Sequence, residues 1–131
     1  MNQTLDQARA RYAFTRVSPA DEQFVLKLPQ MIRAYGLGQT LAFLLAEEKN
    51  KAQADLVYQA LEGWLCGDPD HDHPMRVYAN SGDLIHQLGN GSRTQYQFAQ
   101  EEALVLAGWM KRMVETADAG MGGGSDAPAV P

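Results

Sequence analysis

Apolar residues recur along the chain in steps of three and four, the spacing of helices that each bury one face. A first helix is expected from about Thr4 to Val17, with Leu5, Ala8 and Tyr12 on one side and Ala10, Phe14 and Val17 nearby. Ser18-Pro19-Ala20-Asp21 then reads as a fresh start, with Ser18 as cap, Pro19 at the first helical position and Asp21 three residues after the cap. Phe24, Leu28, Ile32 and Tyr35 follow at helical spacing. Pro29 lacks an N–H and crowds the preceding turn, so it should bend this stretch or split it. Gly36 is a natural left-handed terminator.

A third helix is expected from about Leu37 to Lys49, with Leu37, Leu41, Leu44 and Leu45 inward. Asn50 with Gln53 has the form of a capping box before a fourth helix, Lys51 to Cys66. That helix should bury Leu56, Val57, Ala60, Leu61, Trp64 and Leu65 and stop at Gly67. Asp68 to Pro74 is an acidic, proline-bounded loop. A short helix over roughly Val77 to Leu88 is interrupted by Asn80, Ser81 and Gly82, and Gly89-Asn90-Gly91 reads as a turn. Ser92 or Thr94 opens the longest helix. Its stripe is Tyr96, Ala99, Ala103, Leu106, Met110, Met113 and Ala117, and its polar side carries Gln97, Glu101, Lys111, Glu115 and Asp118. The residues after Gly120 are rich in Gly, Pro and Ala and should form a flexible tail. The pattern contains no hairpin signal and no fixed repeat. It predicts an all-α protein, a single-domain compact bundle of five to six helices over residues 1–119 with a tail over 120–131.

With 131 residues, 45% of them hydrophobic, the chain can bury one modest core. No apolar run approaches the ~20 residues of a membrane span, and the first eleven residues lack the apolar stretch of a signal peptide. A cytoplasmic protein without a membrane partner is expected. The single cysteine, Cys66, fits a reducing compartment, and beside Trp64 and Leu65 it reads as a core residue. The net charge of −5 is unevenly placed. Residues 1–46 hold five bases and three acids, hence +2, and residues 47–131 hold six bases and thirteen acids, hence −7. A basic face on an acidic body is thus permitted, and the local field is what an anionic ligand meets.

Little here supports catalysis. Gly36-Leu37-Gly38-Gln39-Thr40 is not a phosphate loop, because a helix precedes it and no lysine follows before Lys49. It reads as a terminator and a close packing point, with two open N–H groups at a helix start that can accept an anion in principle. His71 and His73 with Asp68, Asp70 and Asp72 form the one metal-like cluster. Alternate residues of an extended loop point apart, so the solvated loop is the plainer reading, and neither a metal nor another cofactor is expected. His86 reads as a hydrogen-bonded helix histidine. Glu47-Glu48 and Glu101-Glu102 are helical neighbours that diverge by about 100°, so they read as solvated faces rather than acid–base pairs.

The basic residues are the better lead. Arg9 and Arg16 share one face of the first helix with Tyr12 between them, Lys27 and Arg33 lie on the next segment, and Lys111 and Arg112 sit near the end of the last. Each alone is an ordinary solvating charge. Together they could touch phosphate, which arginine donates to in bidentate fashion.

From Leu28 to Leu45 the sequence reads LPQMIRAYGLGQTLAFLL. This resembles the signature of the small subunit of the Cmr-type, type III-B, CRISPR RNA-guided effector complex. The matching positions are Leu28, Pro29, Ile32, Gly36, Leu37, Gly38, Gln39, Leu41, Ala42 and Phe43. Arg11-Tyr12-Ala13 with Val17 resembles that family's first helix. Tyr96, Glu102-Ala103-Leu104 and Trp109-Met110-Lys111-Arg112 resemble its last, so the likeness spans roughly residues 5 to 117. One departure is Glu47-Glu48, which stand where family members often carry a lysine, so a phosphate contact there would shift to Lys49.

The resemblance implies a non-catalytic subunit, stacked in several copies into a minor filament beside the backbone that carries the CRISPR RNA. It implies as partners further copies of the chain, RAMP-type backbone subunits, a large polymerase-like subunit, and the guide and target RNA whose groove the filament helps form. Cleavage would belong to the other subunits. Arg9, Arg16, Lys27, Arg33, Lys49, Lys111 and Arg112 are the candidate RNA contacts. Two other readings stay open: a helical protein–protein adaptor without nucleic-acid contact, suggested by the acidic body, and a small metal-dependent hydrolase using His71, His73 and the neighbouring aspartates.

Overall fold

The computed structural model describes residues 4–17, 22–67, 76–79 and 82–118, and all regular structure among them is helical. The expected start at Ser18–Asp21, the 68–74 loop with His71 and His73, and the tail beyond residue 119 lie outside the described residues.

Helix α1 (Leu5–Arg16) begins with a capping box. The Gln7 N–H donates to Thr4 Oγ1 at 3.1 Å and the Thr4 N–H to Gln7 Oε1 at 2.8 Å. This satisfies donors that a helix start otherwise leaves open. The following stretch is split, as Pro29 suggested, into α2 (Glu22–Val25) and α3 (Leu28–Tyr35). Pro29 sits in the first turn of α3, where a missing N–H costs nothing. Helix α4 (Leu37–Ala46) stops three residues short of the expected Lys49. Glu47 turns extended and its Oε2 accepts the Asn50 N–H at 3.1 Å, while the Asn50 side chain makes no capping hydrogen bond to the next helix.

Helix α5 (Lys51–Cys66) has the expected bounds and ends at Gly67, whose φ of 80° a side chain would strain. The chain returns to this end through Val77 and Tyr78, whose N–H groups both donate to the Leu65 carbonyl at 2.7 and 3.0 Å. Helix α6 (Leu84–Asn90) starts later than expected and absorbs Gly89 and Asn90, which had read as a turn. Helix α7 (Arg93–Asp118) opens on a second capping box, with the Gln95 N–H on Ser92 Oγ at 3.1 Å and the Ser92 N–H on Gln95 Oε1 at 3.0 Å.

The long α7 is the spine, and α1, α2, α3, α4 and α5 all pack on it. Its buried face is Ala99, Glu102, Ala103, Leu106, Ala107, Met110 and Val114, meeting Leu28, Ile32, Leu37, Leu41, Leu61, Trp64 and Leu65 in one core. Three residues expected inside are exposed: Tyr35, Leu45 and Leu56. Leu45 and Leu56 each stand about 100° round the helix from a buried neighbour, Leu44 and Val57, beyond the edge of the core-facing stripe. Tyr35 is the last residue of α3, next to the turn at Gly36. Among the described residues no helix is long and apolar enough to cross a membrane.

Candidate functional site

The first candidate cation, Arg9, is spent inside the fold. Its Nε donates to Glu102 Oε2 at 2.6 Å and its Nη2 to Glu102 Oε1 at 2.8 Å, a fork-to-fork pair joining α1 to α7. The Trp64 indole N–H from α5 donates to the same Oε2 at 2.8 Å. Glu102 is only 4% exposed, so the sequence reading of Glu101-Glu102 as a solvated pair holds for Glu101 and fails for Glu102. Its bond to Glu102 raises the Arg9 guanidinium above its ordinary pKa, against the opposing effect of burial. Asp6 extends the network, with Oδ1 accepting from Arg9 Nη1 at 3.4 Å and from the Trp109 indole N–H at 2.9 Å. A buried charge needs such partners, and here α1 and α5 supply them to α7.

Arg16 lies half-buried with its guanidinium 4.8 Å from the centroid of the Tyr12 ring, a cation–π contact. Tyr12 itself is core, tilted against Trp64 at 4.9 Å and donating its hydroxyl to the Ala60 carbonyl at 2.6 Å. The other candidates lie on separate elements. Lys27 and Arg33 flank and occupy α3, Lys49 sits in the turn after α4, and Lys111 and Arg112 are on α7. Lys27, Arg33, Lys49 and Arg112 are exposed, Lys111 is half-buried, and none has an ion-pair partner among the described residues.

The Gly36–Thr40 segment is closed to an anion. The Leu37 N–H donates to Gln100 Oε1 and the Gly38 N–H to Tyr96 Oη, both at 3.0 Å, so α7 caps the start of α4 with its own side chains. Gly36 holds φ 88° and ψ 162°, a region that only glycine enters freely. A Cβ on Gly36 or Gly38 would stand 3.3 or 3.4 Å from Tyr96 Oη. The close approach expected at Gly38 is therefore to α7, not to the preceding helix.

The signature stretch has a second face. Met31 and Tyr35 on α3, and Gln39 and Phe43 on α4, are two pairs four residues apart that line an open cleft of about 410 Å³. Tyr35 is 62% and Phe43 45% exposed. The sequence placed Tyr35 inside and gave no hint of this cleft.

Remaining polar groups are structural in geometry. Burial pushes the Cys66 thiol up to about 12. His86 Nδ1 lies 2.6 Å from Asp83 Oδ1 at the exposed start of α6. Among the described residues no group of three or more His, Cys, Asp or Glu is placed to hold a metal.

These features define a class: a small all-helical bundle whose unspent chemistry, aromatic and basic, lies on its outer surface. The sequence family described as CRISPR-associated protein, Cas_Cmr5, matches residues 5–117, and the chain belongs to that family. It is thus a small subunit of the type III-B, Cmr-type complex, as the Leu28–Leu45 stretch implied. A crystal structure of a CRISPR-associated Cmr5 family protein from Thermus thermophilus shares the fold, with a TM-score of 0.64 at 23% sequence identity over 88% of this chain and 98% of that one. No curated protein sequence matches this chain.

Proposed function

We propose that this chain is a non-catalytic assembly subunit of a cytoplasmic type III-B effector. It stacks in several copies beside the crRNA-bearing backbone and the large subunit, and it borders the groove where guide and target RNA pair. The observation that carries this reading is the outward cleft of Met31, Tyr35 and Phe43 in the family's own signature stretch. Exposed aromatics grouped beside a half-buried methionine on a small monomer are characteristic of a protein-contact surface. The RNA half of the reading rests on the exposed cations Lys27, Arg33, Lys49 and Arg112, which have no ion-pair partner among the described residues, with Lys111 and Arg16 in support. Arg9 is left out, since Glu102 occupies its guanidinium. Contacts of this kind touch phosphate without reading sequence.

The test is reconstitution of the complex with variants. Tyr35→Glu with Phe43→Glu should leave the thermal midpoint of the free chain unchanged and reduce the copies incorporated. Arg33→Glu with Arg112→Glu should instead permit assembly and weaken target-RNA binding, most at low salt. Normal incorporation of the first pair contradicts the assembly reading. If the second pair is silent across a salt series, the adaptor reading replaces the RNA-bordering one. The net charge of −5 and the loss of Arg9 to the core are what favour that alternative.

A further inference from the structure

Gly108 lies in the middle of α7, far from either end of a 26-residue helix. A glycine there loses backbone entropy that alanine would not. The usual compensation is a neighbour packed too close for a side chain, as at Gly36 and Gly38. At Gly108 nothing lies within 4 Å of where a Cβ would stand. No described part of the chain needs that space.

The space belongs to a surface cavity of about 380 Å³ lined by Val105, Gly108, Trp109 and Arg112 from one face of α7 and by Asp6 from α1. The Trp109 ring is fixed, because its N–H donates to Asp6 Oδ1 at 2.9 Å. Asp6 is also engaged by Arg9 at 3.4 Å, so part of its charge is answered from within the fold. Arg112 stands exposed at the rim with no ion-pair partner among the described residues, and Val105 is exposed two turns back.

We propose that this notch holds one nucleotide of single-stranded RNA, its base against Trp109 over Gly108 and its phosphate on Arg112. The cavity is of small-ligand size. An aromatic ring beside an arginine is the platform on which single-stranded bases stack, and guanidinium donates to phosphate in bidentate form. The inference rests on the RNA-contact reading above and gives it a specific seat.

The two tryptophans make the test direct, because Trp64 is fully buried and Trp109 only half-buried. Oligouridylate added to the full chain at low salt should quench the emission of Trp109. Gly108→Leu, whose Cβ meets no neighbour and whose side chain would enter the notch, should weaken binding roughly 5-fold or more, the effect of losing one base stack, with no fall in thermal midpoint. Arg112→Gln should weaken binding and flatten its salt dependence. Binding with unchanged Trp109 emission, or equal binding by Gly108→Leu, overturns the seat while leaving RNA contact through other cations intact. An absence of any binding by the free chain also overturns it. Emission indifferent to RNA together with failure of Gly108→Leu to enter the complex would assign the notch to a protein side chain instead. The RNA reading itself falls separately, if charge reversal at Arg33 and Arg112 leaves target binding by the assembled complex unchanged.

Discussion

Glu102 shows how one residue fixes both structure and the limits of the functional surface. It accepts from Arg9 and Trp64, so three helices meet on one carboxylate. Glu102→Ala would leave a guanidinium and an indole N–H buried without their acceptor, and urea unfolding should show a loss of about 3–5 kcal/mol. Glu102→Gln keeps an oxygen for one donor and should lose less. A loss under about 1 kcal/mol for the alanine variant would mean the pair behaves as a surface contact. The signal for this residue was present in the sequence, since Glu102 lies three residues after Ala99 and four before Leu106, on the apolar side of α7. It was obscured by its neighbour Glu101, which does face solvent. The partner of Arg9 could not be read either, because spacing places a side chain on a face but does not say what waits opposite it.

Among the elements, legibility followed local chemistry. The bounds of α5 and the start of α7 could be read because Gly67 and the Ser92–Gln95 box act within a few residues. The split at Pro29 could be read for the same reason. The end of α4 and the start of α6 could not. Glu47 turns out of α4 to accept the Asn50 N–H, while the Leu84 N–H finds Glu62 Oε2 at 3.1 Å and the Ile85 N–H finds Tyr58 Oη at 3.1 Å. Those last two partners are distant in sequence. The docking of α4 on Tyr96 and Gln100 is also tertiary, and it turns the glycines into opposite predictions. Gly36→Ala must adopt φ 88° against Tyr96 and Gln100 and should cost about 1–3 kcal/mol. Gly108→Ala meets nothing and should gain up to about 1 kcal/mol. Paired thermal melts check both, and shifts of the same sign would contradict this account of α4 and α7.

For the whole molecule, the core sets a pH limit. Burial holds both the Cys66 thiol and the Tyr58 hydroxyl up to about 12, from ordinary values of 9.0 and 10.0. Both folded-state values are raised, so the unfolded chain releases these protons first. Stability should therefore be intact below pH 9 and fall as pH rises from about 9 to 12. Urea midpoints at rising pH check this, and Cys66→Ala should flatten the lower part of the decline. A parent profile that stays level across that window would mean the two groups are not shielded as the fold implies.

Assembly is tested by copurification of the tagged full chain from its native cells, with attached proteins and RNA identified. RAMP-type backbone subunits, a large polymerase-like subunit and CRISPR RNA should appear in the same fraction, with Tyr35→Glu and Phe43→Glu together reducing all three. Recovery of the chain without those subunits and without RNA would contradict the assembly reading.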